Sequence, residues 1–413
     1  MLNCITYLKI QQKSERVKNR NLNLFFDFVN EFESTDSWED FTNQCKITLP
    51  KNITYTDFKT GAPQNIDNIG GFTVNPTFIK GDEVLLKAGY TYYKDGCKVE
   101  DISVIFQGYI TNVTSKKPFT IECEDHMFIL KQTPAMGKNG KTYFSSKDYT
   151  VETMMQELMR STNLTVNTKT STTIGDYIIS ENMTVMQVLE DLRKTCYLES
   201  FFREKELQIG FLVYDEEIAL KNEAKQKKVF IFQDNIIEDN LDYKKKEDIV
   251  LSAIATSINT VKSNKQTKDG KDKTKEERLE VLVYSDNGTL KGIKKEKGKA
   301  FPDNKEGERR TFTFQDITDA NVLIERAKEK LKKYYYTGFK GTFTTFGIPF
   351  CQQGDNCYII DKVLPERNGY YKIKQVKYTG GIGGLRQEIT LDYKIEKSEA
   401  EINKIIDSYN AYR

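Results

Sequence analysis

Any imidazole chemistry in this chain would have to pass through His126, the single histidine in 413 residues. A Ser-His-Asp or Cys-His arrangement needs that ring as its base. His126 closes the run Cys123-Glu124-Asp125-His126, where alternation places it near a strand end. Pairing with Cys123, or half of a metal site, is the chemistry such a run could support. Zinc wants three or four ligands, and the other cysteines (4, 45, 97, 196, 351 and 357) are scattered. His126 therefore reads as a structural or hydrogen-bonding residue. Cys351 and Cys357 lack the C-x-x-C spacing of redox and zinc motifs and read as half-buried strand cysteines. Gly380-Gly381-Ile382-Gly383-Gly384 invites a phosphate-loop reading, but it precedes a strand, opens no helix and lacks the following Lys-Ser/Thr. A hairpin loop fits it better. The acidic pairs Asp82-Glu83, Glu216-Glu217 and Glu276-Glu277 could hold a glycosidase couple, which needs no histidine. With 60 acidic residues such pairs arise by chance. Lysine-rich stretches at 262–277 and 291–310 could touch phosphate, yet each is interleaved with Asp and Glu and reads as solvated loop. No catalytic, cofactor-binding or metal-binding residue is assigned.

The elements that would position these residues come from a long, charge-balanced chain. Its length predicts two or three cores. Lys and Arg number 62 against 60 Asp and Glu, so nothing marks a dedicated nucleic-acid binder. Hydrophobic residues are only 38%, but 23 Tyr and 24 Phe supply enough area to exclude disorder throughout, and they tilt the chain toward β-structure. An odd count of seven scattered cysteines suits a reducing or indifferent compartment. The start, Met-Leu-Asn-Cys-Ile-Thr-Tyr-Leu-Lys, is too polar for a signal peptide, and no apolar run approaches the ~18 residues a membrane helix needs. A soluble protein made in the cytosol is expected, so Asn-x-Ser/Thr sites such as Asn112 and Asn182 carry no glycan.

Residues 1–145 alternate short apolar runs with turn chemistry, predicting strands at 22–29, 45–49, 83–86, 104–110, 119–123 and 127–130. From 146 the period becomes helical: Val151, Met154, Met155 and Leu158 share one face, as do Val185, Val188, Leu189 and Leu192 behind a Thr184/Gln187 capping box. The runs 198–202 and 207–212, split by Arg203-Glu204-Lys205-Glu206, predict a hairpin and close a small α/β module at 146–212. Strands are predicted again at 229–232, 249–255, 279–284, 343–346, 357–360, 370–378 and 387–393. Ala320, Leu323, Ile324, Ala327 and Leu331 mark a helix, and Ile402, Ile405, Ile406 and Tyr409 a polar terminal helix over 398–412.

Three groups of residues resemble phage tail hub proteins of the late control protein D and Mu-like group. The first is Phe78-Ile79-Lys80-Gly81-Asp82-Glu83-Val84 with Val104 to Ile110 and Ile121 to Met127. The second is the pair of Thr-Val helix starts at 150 and 184 with the hairpin at 198–210. The third is Gly354-Asp355-Asn356-Cys357, Gly369-Tyr370-Tyr371-Lys372-Ile373 and Gly384-Leu385-Arg386-Gln387-Glu388-Ile389. The charged insertions at 262–310 depart from the family pattern.

The resemblance implies an α+β, β-dominated fold: a tail-tube-like β-barrel at 1–145, the α/β module at 146–212, a second barrel at 213–395 with charged loops at 262–310, and a C-terminal helix at 396–413. It implies a structural, non-enzymatic hub of a phage tail or related contractile injection device, found in the virion and assembled in the bacterial cytoplasm. Three chains would make a ring of six barrels joining the six-fold tail tube to the three-fold spike. The implied partners are the homotrimer, the tail tube protein, the spike protein, other baseplate proteins and the tape measure protein, with DNA passing unbound and no membrane segment. Two alternatives stay open. A tail-associated peptidoglycan hydrolase would need a catalytic domain, for which 262–310 is too polar. A secretion-system spike hub is expected to continue into a needle, which here would be a separate polypeptide.

Overall fold

The computed structural model describes residues 3–13, 23–50, 54–56, 63–65, 77–94, 96–114, 118–145, 147–168, 176–196, 198–210, 228–266, 272–296, 298–301, 307–315 and 319–395, with positions 400 and 404. Of the predicted terminal helix only positions 400 and 404, both helical, are described, and Glu216-Glu217 lies outside the described residues. The fold is β-dominated, as the sequence predicts. Its first part runs β1 (Asn3–Gln11), β2 (Asn23–Phe26), β3 (Glu31–Ser37), β4 (Gln44–Leu49), the short pair β5 (Thr54–Thr56) and β6 (Pro63–Asn65), β7 (Glu83–Lys94), β8 (Cys97–Val113) and β9 (Phe119–Glu124). Next come α1 (Met127–Leu130), β10 (Tyr143–Phe144), α2 (Val151–Leu158), β11 (Thr165–Thr168), β12 (Tyr177–Ile178), α3 (Val185–Cys196), β13 (Glu199–Arg203) and β14 (Glu206–Gly210). The rest holds β15 (Val229–Ile231), β16 (Ile236–Lys244), β17 (Leu251–Gln266), β18 (Asp272–Asp286), β19 (Thr289–Lys294), β20 (Glu308–Gln315), α4 (Ala320–Lys332), β21 (Gly338–Phe346), β22 (Asn356–Ile360), β23 (Gly369–Gly381) and β24 (Arg386–Ile395).

One 13-stranded sheet takes strands from both ends of the chain, in the order β16-β21-β24-β23-β3-β4-β9-β8-β7-β1-β2, with β22 beside β23 and β15 beside β22. Strand alternation builds it: in β9, Phe119, Ile121 and Cys123 point inward between polar neighbours, and in β4, Cys45, Ile47 and Leu49 do the same. The two ends meet where β23 pairs antiparallel with β3, from Gln375↔Ser37 to Gly381↔Glu31. Gly380 and Gly381 belong to this joint: a Cβ on Gly380 would lie 2.4 Å from the Phe32 ring, and one on Gly381 would lie 2.3 Å from the Asn30 carbonyl oxygen. The glycine run serves the close approach of two strands as well as the turn into β24. The core beneath is continuous, with Phe32, Ile47, Val84, Ile110 and Ile121 in one cluster with Phe343, Ile359, Tyr371, Ile373 and Ile389. Each such side chain withdrawn from water contributes about 1.5–3 kcal/mol.

The α/β module packs α2 and α3 against the sheet β11-β14-β13. Both predicted helix starts form capping boxes. Thr150 Oγ1 accepts from the Thr153 N–H while Thr153 Oγ1 accepts from the Thr150 N–H, and Gln187 Oε1 accepts from the Thr184 N–H at 2.8 Å. The segment between β16 and β21 leaves the main sheet and makes its own layer, β19-β18-β17-β20 with α4 on one face. Its core is Leu251, Ala253, Ala255, Val281, Val283, Leu323, Ala327, Leu331 and Tyr335.

Two sequence readings change. The predicted strand at 127–130 is a helical turn, because Asp125 Oδ1 accepts from the Met127 N–H at 3.0 Å and bends the chain on leaving β9. A four-residue apolar run cannot decide between helix and strand. Of the two charged stretches read as loops, 262–277 is largely strand among the described residues, continuing the strand predicted at 279–284, whereas 291–310 is strand only at 291–294 and 308–310. β17 and β18 pair antiparallel from Ser252↔Tyr284 out to Gln266↔Asp272, and β19 and β20 flank them. A paired ribbon satisfies its backbone groups without an apolar face, so composition alone misses it.

Candidate functional site: two matching turns joined by one charged hairpin

The Gly-Asp pairs that carry the sequence resemblance form the same turn twice. Gly81 and Gly354 take left-handed φ values of 97° and 74°, open to glycine at little cost. The Gly81 N–H donates to Ile110 O at 2.8 Å and the Ile110 N–H returns to Asp82 O at 2.9 Å. Correspondingly, the Gly354 N–H donates to Ile373 O at 2.9 Å and the Ile373 N–H to Asp355 O at 2.8 Å. Each aspartate then accepts at Oδ2 from the backbone N–H three residues earlier, Ile79 at 3.0 Å and Gln352 at 2.8 Å. The strands that follow keep the match: Glu83↔Tyr109 and Val84↔Gly108 answer Asn356↔Lys372 and Cys357↔Tyr371. Even the irregularity recurs, between Ile110 and Asn112 on β8 and between Ile373 and Gln375 on β23. The order β3-β4-β9-β8-β7 is thus built a second time as β16-β21-β24-β23-β22.

One hairpin of the α/β module engages both turns. Arg203, at the end of β13, donates to Asp355 Oδ1 at 2.9 Å and to Gln353 O at 2.7 Å, while Gln353 Nε2 donates to Phe202 O at 3.2 Å. Lys228 supplies a second cation to Asp355. Two residues on from Arg203, Lys205 pairs with Glu83 at 3.0 Å, and Lys13 pairs with the same carboxylate. Burial disfavours the charged form of Glu83, but hydrogen bonds from Lys13 and Lys205 outweigh it and hold the carboxyl at about 2. Burial is likewise overcome at Asp355 by Arg203 and Lys228, so its carboxyl lies below the usual range. Beside this pair, burial and the like charge of Asp125 push Asp36 well above it, only partly offset by Arg203. Burial also lifts Asp125 to about 7, against the backbone N–H groups of Asn43 and Met127.

A second charged seam ties α4 and α3 to the main sheet. Glu39, in the β3–β4 turn, meets Lys374 of β23 and lies 3.7 Å from Lys333, which pairs with Asp392 of β24 at 3.1 Å. Arg193 of α3 donates to Glu39 O and pairs with Glu199 of β13 at 2.8 Å. Burial raises Glu199 to about 7, against Arg193, and lowers Lys330 to about 7. Lys330 lies over the Phe314 and Phe312 rings and Lys333 over Trp38, so both cations are held against aromatic faces.

The residues weighed for chemistry are otherwise dispersed. His126 is fully buried between Tyr109 and Phe202, with ring centroids at 5.5 and 5.6 Å, and neither ring nitrogen has a hydrogen-bond partner among the described residues. Burial, then Lys205, lowers it to about 4, so the ring is neutral near pH 7. Cys123 packs in the core with its thiol pushed up by burial. Cys351 and Cys357 are also fully buried, Cys351 raised to about 12, rather than half-buried as their sequence suggests. Asp82 and Glu83 serve the first turn and its cations. Glu276 and Glu277 fall in β18 opposite Thr260 and Asn259. Among the described residues no group of three or more His, Cys, Asp or Glu is placed to hold a metal ion, and no helix is long and apolar enough to cross a membrane. Sequence reasoning missed the partnership of Arg203 and Lys205 with the two turns. The signal was present in the repeated Gly-Asp and the two cations at one hairpin tip, but nothing local joins them.

No family model matches the sequence, and no curated protein matches it. Solved structures do match. The 43 kDa tail protein of prophage MuSo2 from Shewanella oneidensis superposes with a TM-score of 0.53 at 13% identity, covering 94% of this chain and 98% of that one. The tail protein of Neisseria meningitidis MC58 gives 0.53 at 12% identity, covering 95% and 97%. The resemblance carried by the Gly-Asp turns thus extends over nearly the whole chain: this protein has the fold of those phage tail proteins.

Proposed function

We propose that this chain is a structural hub protein of a phage tail or related contractile device. In this reading residues 1–145 and 213–395 are two tail-tube-like barrels, 146–212 is the module that braces them, and 396–413 is a docking helix. Three chains form a ring of six similar barrels that adapts a six-fold tail tube to a three-fold spike, with other baseplate proteins and the tape measure protein as neighbours. The protein is assembled in the host cytoplasm, resides in the virion, passes DNA without gripping it and catalyses no reaction.

The observation that carries the reading is the duplicated turn and strand set inside a fold shared with tail proteins. A chain that contains one arrangement twice can present six similar faces with three copies. The charged hairpin at Arg203 and Lys205 supports it by fixing one repeat against the other, as a ring of set diameter requires.

Native mass measurement tests this, alone and with a tube or spike partner. A trimer is expected; a stable monomer under every condition defeats the proposal. A zymogram that cleared cell-wall substrate would sink its non-enzymatic part.

A further inference from the structure

The duplication leaves one strand joint made and its counterpart unmade. Across the first repeat, the paired positions run Asn112↔Glu122, Glu122↔Lys46 and Lys46↔Glu33 through β8, β9, β4 and β3. Across the second they run Gln375↔Thr390, Thr390↔Thr342 and Thr342↔Asn240 through β23, β24, β21 and β16. Asn112 therefore answers Gln375, and Glu33 answers Asn240. Inside the chain, β23 lays its free edge on β3, pairing Gln375 with Ser37, Val376 with Asp36 and Lys377 with Thr35. The answering edges are not joined to each other. β7 leaves β8 after Glu83↔Tyr109, and β16 ends the sheet, with no further strand on either edge among the described residues.

Burial records the difference. In β3, Phe32, Ser34, Asp36 and Ser37 are all buried; in β16 the matching Asp239 and Lys244 are exposed and Leu241 and Tyr243 only half-covered. An edge strand this open is a template for pairing. Charge indicates what covers it. At the internal joint the cation lies on the β23 side and the carboxylate on the β3 side, Lys377 with Glu33 at 3.1 Å. The bare edge of β16 exposes Glu238, Asp239 and Asp242, and the sequence running on from β8 reads Thr114-Ser115-Lys116-Lys117, the same polarity.

We propose that β8 of one copy pairs antiparallel with β16 of the next through residues 112–114 and 242–244, in the register β23 uses on β3: Asn112 with Lys244, Val113 with Tyr243, Thr114 with Asp242. The occupant of the open edge is a second copy of this chain. The contact is head-to-tail; copies related by a closing rotation complete a ring through it and cover the β16 edge, while β2 and β15 stay outer strands of the sheet. It rests on the ring reading above and specifies the surface that reading leaves open.

The test places cysteines at Asn112→Cys and Lys244→Cys, both exposed positions, in a Cys97→Ser background that removes an exposed native thiol. Oxidised glutathione is added to the assembled protein. The double variant should give reductant-reversible inter-chain species up to the full ring, and each single variant none. Asn112→Cys with Asp242→Cys, offset by two residues and so about 7–8 Å apart across the joint, should cross-link weakly. A ring of the right mass in which the matched pair fails to link, or a shifted pair links better, overturns this inference while sparing the ring. A monomer throughout overturns both. Hydrogen exchange on the unaltered protein is the second readout: amides within 242–244 should slow at least roughly tenfold on assembly, and protection elsewhere with none there refutes the pairing.

Discussion

Replacing Arg203 with leucine should release the α/β module from the second Gly-Asp turn. The substitution keeps apolar bulk near Phe201 but removes two hydrogen bonds, to Asp355 Oδ1 and Gln353 O. Bonds to a charged group contribute roughly 1.5–3 kcal/mol each. The Arg203 and Asp355 side chains are 22% and 8% exposed, so solvent screens this pair little. Lys228 stays on Asp355, which limits the loss to about 3 kcal/mol, on the order of a hundredfold in the opening equilibrium. Hydrogen exchange of the β13–β14 amides reads that opening, and they should exchange about a hundred times faster than in the unaltered protein. Removing both partners, with Asp355→Asn, should cost less than the two single losses added. Because the Asp355 carboxyl is held low, its contribution is present above the unfolded pKa of about 3.9 and fades as pH falls through the folded value. The Arg203→Leu effect should fade with it. Exchange changed less than threefold at pH 7, or an effect that grew in acid, would refute the assignment of this pair as the lock.

Other outcomes follow from the same geometry. Gly381→Ala should weaken the β23–β3 joint by about 2 kcal/mol in urea unfolding, since its φ is 132° and its Cβ would meet Asn30 O at 2.3 Å, whereas Gly383→Ala, with nothing within 4 Å, should be neutral. His126 near 4 lies below its unfolded value of about 6.5, so it makes stability rise with pH across that interval; Asp125 near 7 lies above its own value of about 3.9 and makes stability fall across nearly the same one. Glu199, also near 7, and Asp36, also raised, add to the fall, so the unaltered protein should lose stability from pH 4 to 7. Relative to it, His126→Phe should steepen that fall between pH 4 and 6.5 and Asp125→Asn should flatten it, each by up to about 1.4 kcal/mol per pH unit, and changes of the same sign in both variants would contradict the assignments. Thr184→Ala should cost about 1 kcal/mol in thermal or urea unfolding by removing one side of the α3 capping box.

Sequence reveals elements here wherever side-chain type and burial agree. β9 shows itself through Phe119, Ile121 and Cys123, and α3 through its cap and four-residue apolar stripe. It fails where they part company. β3 buries Ser34, Asp36 and Ser37 because a distant strand covers its edge, so nothing local marks it as core. β16 is hidden for the opposite reason, an acidic run left bare. The ribbon of β17 and β18 is stabilised by pairing between charged segments that look like loop one at a time. The Arg203 hairpin was legible as a hairpin, but its partner lies 152 residues away. The two Gly-Asp turns were visible as motifs; that they are one hydrogen-bond pattern built twice emerges only from the backbone.

Electron cryo-microscopy of the intact tail would show where this protein sits in the particle. With the chain fitted into the map, three copies are expected in one ring between tube and spike, each presenting its two repeats as successive members of a six-fold arrangement around the channel. Six copies, or copies set away from the tube–spike junction with the two repeats at different radii, would contradict the proposed hub.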